Sequence, residues 1–137
     1  MGLSGSPTPD EHLELRLPVR PDSVAIGRRA AAQFAEETGC SDQSLWRVRL
    51  AVSEALSNAV LHAHASEIDP GAEVTLTAEA HGDRITITVA DVGTGMAPRS
   101  DSPGIGLGLG LIAKSSDDLE IGAGADGGTV VRMTFLR

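Results

Sequence analysis

The run Val52-Ser53-Glu54-Ala55-Leu56-Ser57-Asn58-Ala59-Val60-Leu61-His62 sets a carboxylate, a carboxamide and an imidazole at a regular four-residue spacing. Ala, Leu and Glu favour helix, and no Gly or Pro interrupts the run, so it reads as helical. Helical positions four apart drift by only about 40°. Glu54, Asn58 and His62 therefore form one oblique polar ridge. Val48, Val52, Leu56, Ala59, Val60 and Ala63 fall on the opposite face as a packing stripe. A carboxylate one turn before a carboxamide can set a general base beside a ligand for a hard cation such as Mg²⁺. A solvated helix face would show the same pattern. For His62 a structural hydrogen bond is the simpler role.

Two Gly-rich segments bear on that choice. Asp91-Val92-Gly93-Thr94-Gly95 follows an alternating stretch, so its carboxylate would sit at the end of a strand. Held there, it can accept a hydrogen bond from an exocyclic amine such as that of adenine. Glycines beside it let the backbone approach a flat ring. The competing reading is an ordinary turn. Gly106-Leu107-Gly108-Leu109-Gly110-Leu111 opens a predicted helix, where free N–H groups and the helix dipole favour phosphate. Its competing reading is a flexible hinge with the three leucines docked in the core. No strand runs directly into this segment, so it is not a dinucleotide fingerprint. No Gly-Lys-Ser/Thr follows, so it is not a Walker loop.

The elements that must position these groups can be read in order. Met1 to His12 is rich in Gly, Ser, Pro and Thr and reads as a tail. Leu13 to Val19 alternates as a strand, which Pro18 confines to an edge or an end. A helix capped by Asp22 or Ser23 runs toward Thr38 and stops at Gly39. Ser41 or Asp42 caps a second helix that carries the polar ridge to about Ala65. Asp69-Pro70-Gly71 is a turn. Glu73 to Ala80 and Arg84 to Asp91 alternate as two strands around a His81-Gly82-Asp83 turn. A long loop, the ten-residue helix from Gly106, and the strands Asp118 to Gly122 and Thr129 to Leu136 complete the chain. Hairpin-linked strands with helical insertions predict an α+β two-layer sandwich, with a mixed, mostly antiparallel sheet and helices on one face.

At 137 residues the chain fits one domain that buries roughly 68% of its unfolded surface. With one Trp, two Phe and no Tyr, the core must be aliphatic. A net charge of −8 argues against a general phosphate-backbone binder, but not against a nucleotide held by backbone N–H groups and a cation. Cys40 is the single cysteine, which excludes an internal disulfide and a cysteine metal cluster. There is no signal-like start and no apolar run of about 18 residues, so the expectation is a cytoplasmic protein without a membrane span or direct nucleic-acid contact.

Taken together, these motifs resemble those of the GHKL (Bergerat-fold) ATPase superfamily. Glu54-x-x-x-Asn58-x-x-x-His62 is similar to its N box and Asp91-x-Gly93-x-Gly95 to its first glycine box. Gly106 to Leu111 is similar to the second glycine box, and Gly127-Gly128-Thr129 to the terminal Gly-Thr element. The likeness spans Leu13 to Arg137 with the motifs in family order. The larger members are far longer, and a histidine kinase would carry a phosphoacceptor domain as well. The chain therefore resembles the anti-sigma factor serine kinase branch, a single ATP-binding domain over residues 13–137. The resemblance implies ATP and Mg²⁺ as ligands, with Glu54 as catalytic base and Asn58 as Mg²⁺ ligand. Asp91 would hold the adenine amino group, with Gly95 and Thr129 close to the base, while Gly93 belongs to the same box. Gly106, Gly108 and Gly110 would wrap the phosphates. Arg99, in the lid loop, either reaches the γ-phosphate or is solvated. Lys114 is expected at the surface. The short lid, with Ser100-Asp101-Ser102-Pro103, departs from the family pattern.

The branch implies a sigma factor and a STAS-like anti-anti-sigma antagonist as partners, the second being phosphorylated on serine. Homodimerisation is common in it. Two other readings stay open from sequence: a module that sequesters a regulator using ATP as a structural ligand, and a switch kinase that activates a phosphatase.

Overall fold

A computed structural model describes residues 11–65, 72–91, 105–124 and 128–137, without the side chains of 62–65 and 105–109. The order is β1 (Glu11–Pro18), α1 (Asp22–Glu37), α2 (Asp42–Ala65), β2 (Glu73–His81), β3 (Arg84–Asp91), α3 (Ile105–Ser115), β4 (Asp118–Ala123) and β5 (Thr129–Leu136). The strands form one sheet in the order β1-β2-β3-β5-β4. Every hydrogen-bonded pair is antiparallel. Among the described strands the sheet is therefore antiparallel throughout, where a mixed, mostly antiparallel one was expected.

Strand alternation decides which face is covered. Val74, Leu76, Ala78 and Ala80 of β2, Ile85, Ile87 and Val89 of β3, and Val131, Met133 and Phe135 of β5 are buried. Their neighbours Thr75, Thr77, Thr86, Thr88 and Arg132 are partly or largely exposed. The helices therefore lie on one face, with α2 between α1 and α3 and across β3 and β5. Leu56 of α2 and Ile112 of α3 are fully buried against this layer. Full burial of such a side chain stabilises the fold by roughly 1.5–3 kcal/mol.

Local chemistry sets the element ends. Gly39 takes φ +94° after α1, and the Cys40 amide donates to Ala35 O while the Gly39 amide donates to Glu36 O. That left-handed turn is open to Gly without strain. Ser41 Oγ accepts the Ser44 amide at 3.1 Å, capping α2 as expected. The start of α1 differs from expectation: Pro21 holds the N-cap position without a side-chain cap. Ser23 Oγ instead donates to Pro18 O at 2.6 Å, tying α1 to the end of β1. β1 also begins at Glu11, two residues ahead of the expected Leu13. Among the described residues no helix is long and apolar enough to cross a membrane.

Candidate functional site

Long-range bonds fix which end of the sandwich each motif occupies. Near the start of α2, Ser44 Oγ donates to Leu136 O at 2.6 Å. Arg47 Nε donates to Ser115 O at 2.9 Å, and its guanidinium meets Asp117 Oδ2 at 2.7 Å. These contacts pin the first third of α2 to the C-terminal ends of α3 and β5. From Arg47 the helix rises about 16 Å to reach Asn58. The half of α2 that carries Glu54 and Asn58 therefore extends toward the other end of the sandwich. There β3 finishes at Asp91, β5 starts at Thr129 and α3 starts at Ile105.

Among the described side chains of α2 the exposed ones are Asp42, Gln43, Trp46, Arg49, Ser57 and Leu61, with Trp46 and Leu61 63% and 59% exposed. Asn58 is only 9% exposed, and Glu54 is half-buried. Asn58, and Glu54 in part, are thus turned inward along the edge of the packing stripe, and a solvated face does not describe these two. Burying a carboxamide is costly unless its polar atoms are satisfied. Its carbonyl oxygen is a neutral donor suited to a hard cation. Among the described residues no three His, Cys, Asp or Glu side chains gather as a metal cluster. A cation beside Asn58 would fill its shell with ligand oxygens and water. The His62 side chain lies outside the described residues.

Asp91 is the last residue of β3, paired in register with Val74. Its Oδ1 accepts the Thr129 amide at 3.0 Å, and Thr129 is buried at 3% exposure. One carboxylate oxygen is therefore oriented by the backbone of β5, which aims the group from the sheet end. Gly128 makes this approach sterically open: a Cβ there would overlap the Asp91 carbonyl and lie 3.0 Å from Oδ1. In the sequence Gly128 belongs to the Gly-Thr element and carries no separate role. The Gly-Gly-Thr spelling was the available signal.

Gly106, Gly108 and Gly110 all lie within the first two turns of α3. Gly106 and Gly110 share one helix face, while Gly108 points away from it. Gly110 is exposed, and a Cβ there would meet no atom within 4 Å. Core packing does not demand glycine at that position. Lys114 is exposed in the last turn, as expected. Gly93, Gly95 and Arg99 lie outside the described residues.

The Arg47–Asp117 pair is a feature that local sequence did not reveal, since its members come from distant elements. Partial burial alone would raise the Asp117 pKa. The Leu136 amide and the hydrogen bond and charge of Arg47, with Arg84 farther off, outweigh it and hold the carboxyl below the usual carboxylate range. In Cys40, burial pushes the thiol up, and the Arg137 charge offsets this only in part.

These groups fit a purine nucleotide with a hard cation. The fit rests on an aimed carboxylate at a Gly-opened sheet end, an inward-facing carboxamide and a helix start built on glycine.

The chain is similar in sequence and in fold to known proteins. Serine-protein kinase RsbW of Listeria innocua is 33% identical over 87 residues, which is 64% of this chain and 54% of that protein. The RsbW of Bacillus licheniformis is 35% identical over 83 residues, 61% of this chain and 51% of that protein. The chain thus spans about half the length of the curated relatives it matches. A structure of the RsbU and RsbW domains of a Mycobacterium tuberculosis protein superposes with TM-score 0.71 at 23% identity, covering 93% of this chain and 33% of that one. A chain in the crystal structure of the SiaB–SiaC complex from Pseudomonas aeruginosa gives TM-score 0.64 at 12% identity, covering 91% of this chain and 88% of that one. Residues 17–135, nearly the whole chain, match the histidine kinase-like ATPase domain, and the chain belongs to that GHKL family.

Proposed function

We propose that the chain is an ATP-dependent protein serine kinase of the anti-sigma type. It would bind a sigma factor and phosphorylate a serine of a STAS-like anti-anti-sigma antagonist. The carrying observation is the inward turn of the Glu54–Asn58 ridge, with Asn58 at 9% exposure, toward the sandwich end where Asp91 closes β3. The curated relatives are named as serine-protein kinases, and one structural neighbour was solved in complex with a second protein. Both facts favour a kinase with a protein partner over a lone nucleotide sensor.

In this reading residues 13–137 form one ATP-binding unit. Asp91 would accept a hydrogen bond from the adenine amino group, with Gly95 and Thr129 close to the base and Gly93 in the same glycine box. Gly106, Gly108 and Gly110 would offer backbone N–H groups to the phosphates, and Arg99 would serve the terminal one. Asn58 offers its carbonyl oxygen to Mg²⁺. Bound Mg²⁺–ATP supplies the phosphoryl group and the neutralising charge that phosphoryl transfer requires. Glu54, one turn from Asn58, orients the seryl hydroxyl and takes its proton on a carboxylate oxygen.

The test is transfer of label from ATP to STAS-like antagonists by wild type and by Glu54→Ala. Transfer should fall at least about a hundredfold while nucleotide binding persists. Equal transfer by the variant removes Glu54 as base. Wild type that binds ATP and the antagonist but transfers nothing is a sequestering module instead.

A further inference from the structure

The two edges of the sheet differ. β1 is blunted by Pro18, and its leucines are partly or fully buried. β4 runs in unbroken register along β5 with no Pro, Lys or bulge, and every residue from Glu120 to Ala123 is exposed. Ile121 is 38% exposed although its cross-strand partner Val131 is 1% exposed, so the helical layer stops short of this edge. The ladder also shows which main-chain groups face outward. The Gly124 amide donates to Gly128 O, whereas the Thr129 amide turns the other way, to Asp91. Antiparallel pairs alternate, so Glu120 and Gly122 bond to β5 while Leu119, Ile121 and Ala123 present N–H and C=O to the free edge. Along β4 and β5 lies a groove of about 680 Å³, lined in part by Glu120, Gly122, Val130 and Arg132. Gly122 does not take a positive φ, and a Cβ there would meet no atom within 4 Å. Neither backbone conformation nor core packing calls for glycine, which weakens a strand and marks places where another chain comes close.

We propose that β4 docks an extended segment of a protein partner as an added strand, with an aromatic side chain over Gly122 and basic side chains facing Asp118 and Glu120. Main-chain bonds to Leu119, Ile121 and Ala123 would supply affinity, and the side-chain pattern specificity. The position opposite Gly122 is a non-hydrogen-bonded pair, where cross-strand side chains come closest, and a ring there covers the bare backbone. Asp118 forms no ion pair among the described residues, and the exposed Glu120–Arg132 contact at 3.4 Å is weak enough to exchange. A second copy does not fit. β4 carries no aromatic residue, and full antiparallel self-pairing would set the two Glu120 side chains on neighbouring positions. The proposal stands apart from the kinase reading, because none of its residues belongs to the nucleotide site.

The probe is a dye-labelled peptide, Val-Tyr-Val-Lys-Val-Lys, added to the full chain at physiological salt. In antiparallel register it sets Tyr against Gly122 and the lysines against Glu120 and Asp118. Fluorescence anisotropy should show saturable binding. A peptide with Glu in place of Lys, and one N-methylated at its second Val, should not reproduce it. Gly122→Val fills the gap with a residue that suits a strand, so its urea midpoint should hold or rise while peptide affinity falls at least about tenfold. Ile121→Pro removes an outward N–H that β5 does not use, and should lower affinity as far with the β4–β5 ladder kept. ATP binding should be unchanged in Gly122→Val, which keeps this test separate from that of the nucleotide site. The proposal is overturned if wild type does not bind the Lys peptide, if either control peptide binds as tightly, or if Gly122→Val keeps full affinity. Dimers in sedimentation that Ile121→Pro abolishes would assign the edge to a second copy and overturn it as well.

Discussion

At the scale of single residues, the Asp91 carboxylate accepts a hydrogen bond from the Thr129 amide at a point where Gly128 leaves no room for a side chain. Gly128→Ala would push backbone against backbone, and neither strand can yield without breaking the β3–β5 ladder. Overpacking of this kind costs typically about 1–3 kcal/mol, to be read as a lowered urea midpoint, and ATP affinity should fall with it. Asp91→Asn keeps the size but loses the charge. A charge-assisted hydrogen bond contributes roughly 1.5–3 kcal/mol, so competition titrations should show at least about a tenfold loss in ATP affinity and a reduced preference for adenine over guanine. An unchanged preference would remove Asp91 from base recognition.

At the scale of elements, the packing of α1 on α2 bears on where the Glu54–Asn58 ridge sits. Gly27 is buried where α1 meets α2, and a Cβ there would run into Leu56 Cδ1 and lie 3.2 Å from Leu17 Cδ1. Glycine costs about 1 kcal/mol against alanine inside a helix, so close approach is the physical reason for it here. Leu56 sits between Glu54 and Asn58 on the same helix, and it is fully buried. Gly27→Val should therefore lower stability by about 1–3 kcal/mol in chemical denaturation and weaken phosphoryl transfer, although residue 27 touches no ligand in the proposed site. Unchanged stability would mean that the two helices slide apart freely. The element boundaries themselves were largely legible, because helical and strand periodicity are local. The start of α1 was not, since Ser23 bonds back to the β1 end instead of capping.

At the scale of the whole molecule, Arg47 and Asp117 join α2, the end of α3 and the last strand. The Asp117 pKa lies below its unfolded value of about 3.9. A depressed carboxylate contributes stability above the unfolded pKa and loses it as pH falls through the folded one. The urea-midpoint gap between wild type and Asp117→Asn should therefore be widest near neutrality, shrink below about pH 4, and narrow in high salt, because both partners are partly exposed. A gap independent of pH would assign the stabilisation to the neutral hydrogen bonds alone.

The sequence by itself determined the order and type of the elements, the covered face of the sheet and the set of candidate site residues. Periods of 3.6 and 2, and the placement of Gly and Pro, act over a few positions. Tertiary structure alone decided that Asn58 faces inward rather than water, that Gly128 is the floor beneath Asp91, and that Arg47 fastens the far end of α2. It also decided that β4 stands at a free edge of the sheet with Gly122 open beside it. Each of these depends on which distant segments pack together, and a polar residue on a helix carries no local sign of what its neighbours will be.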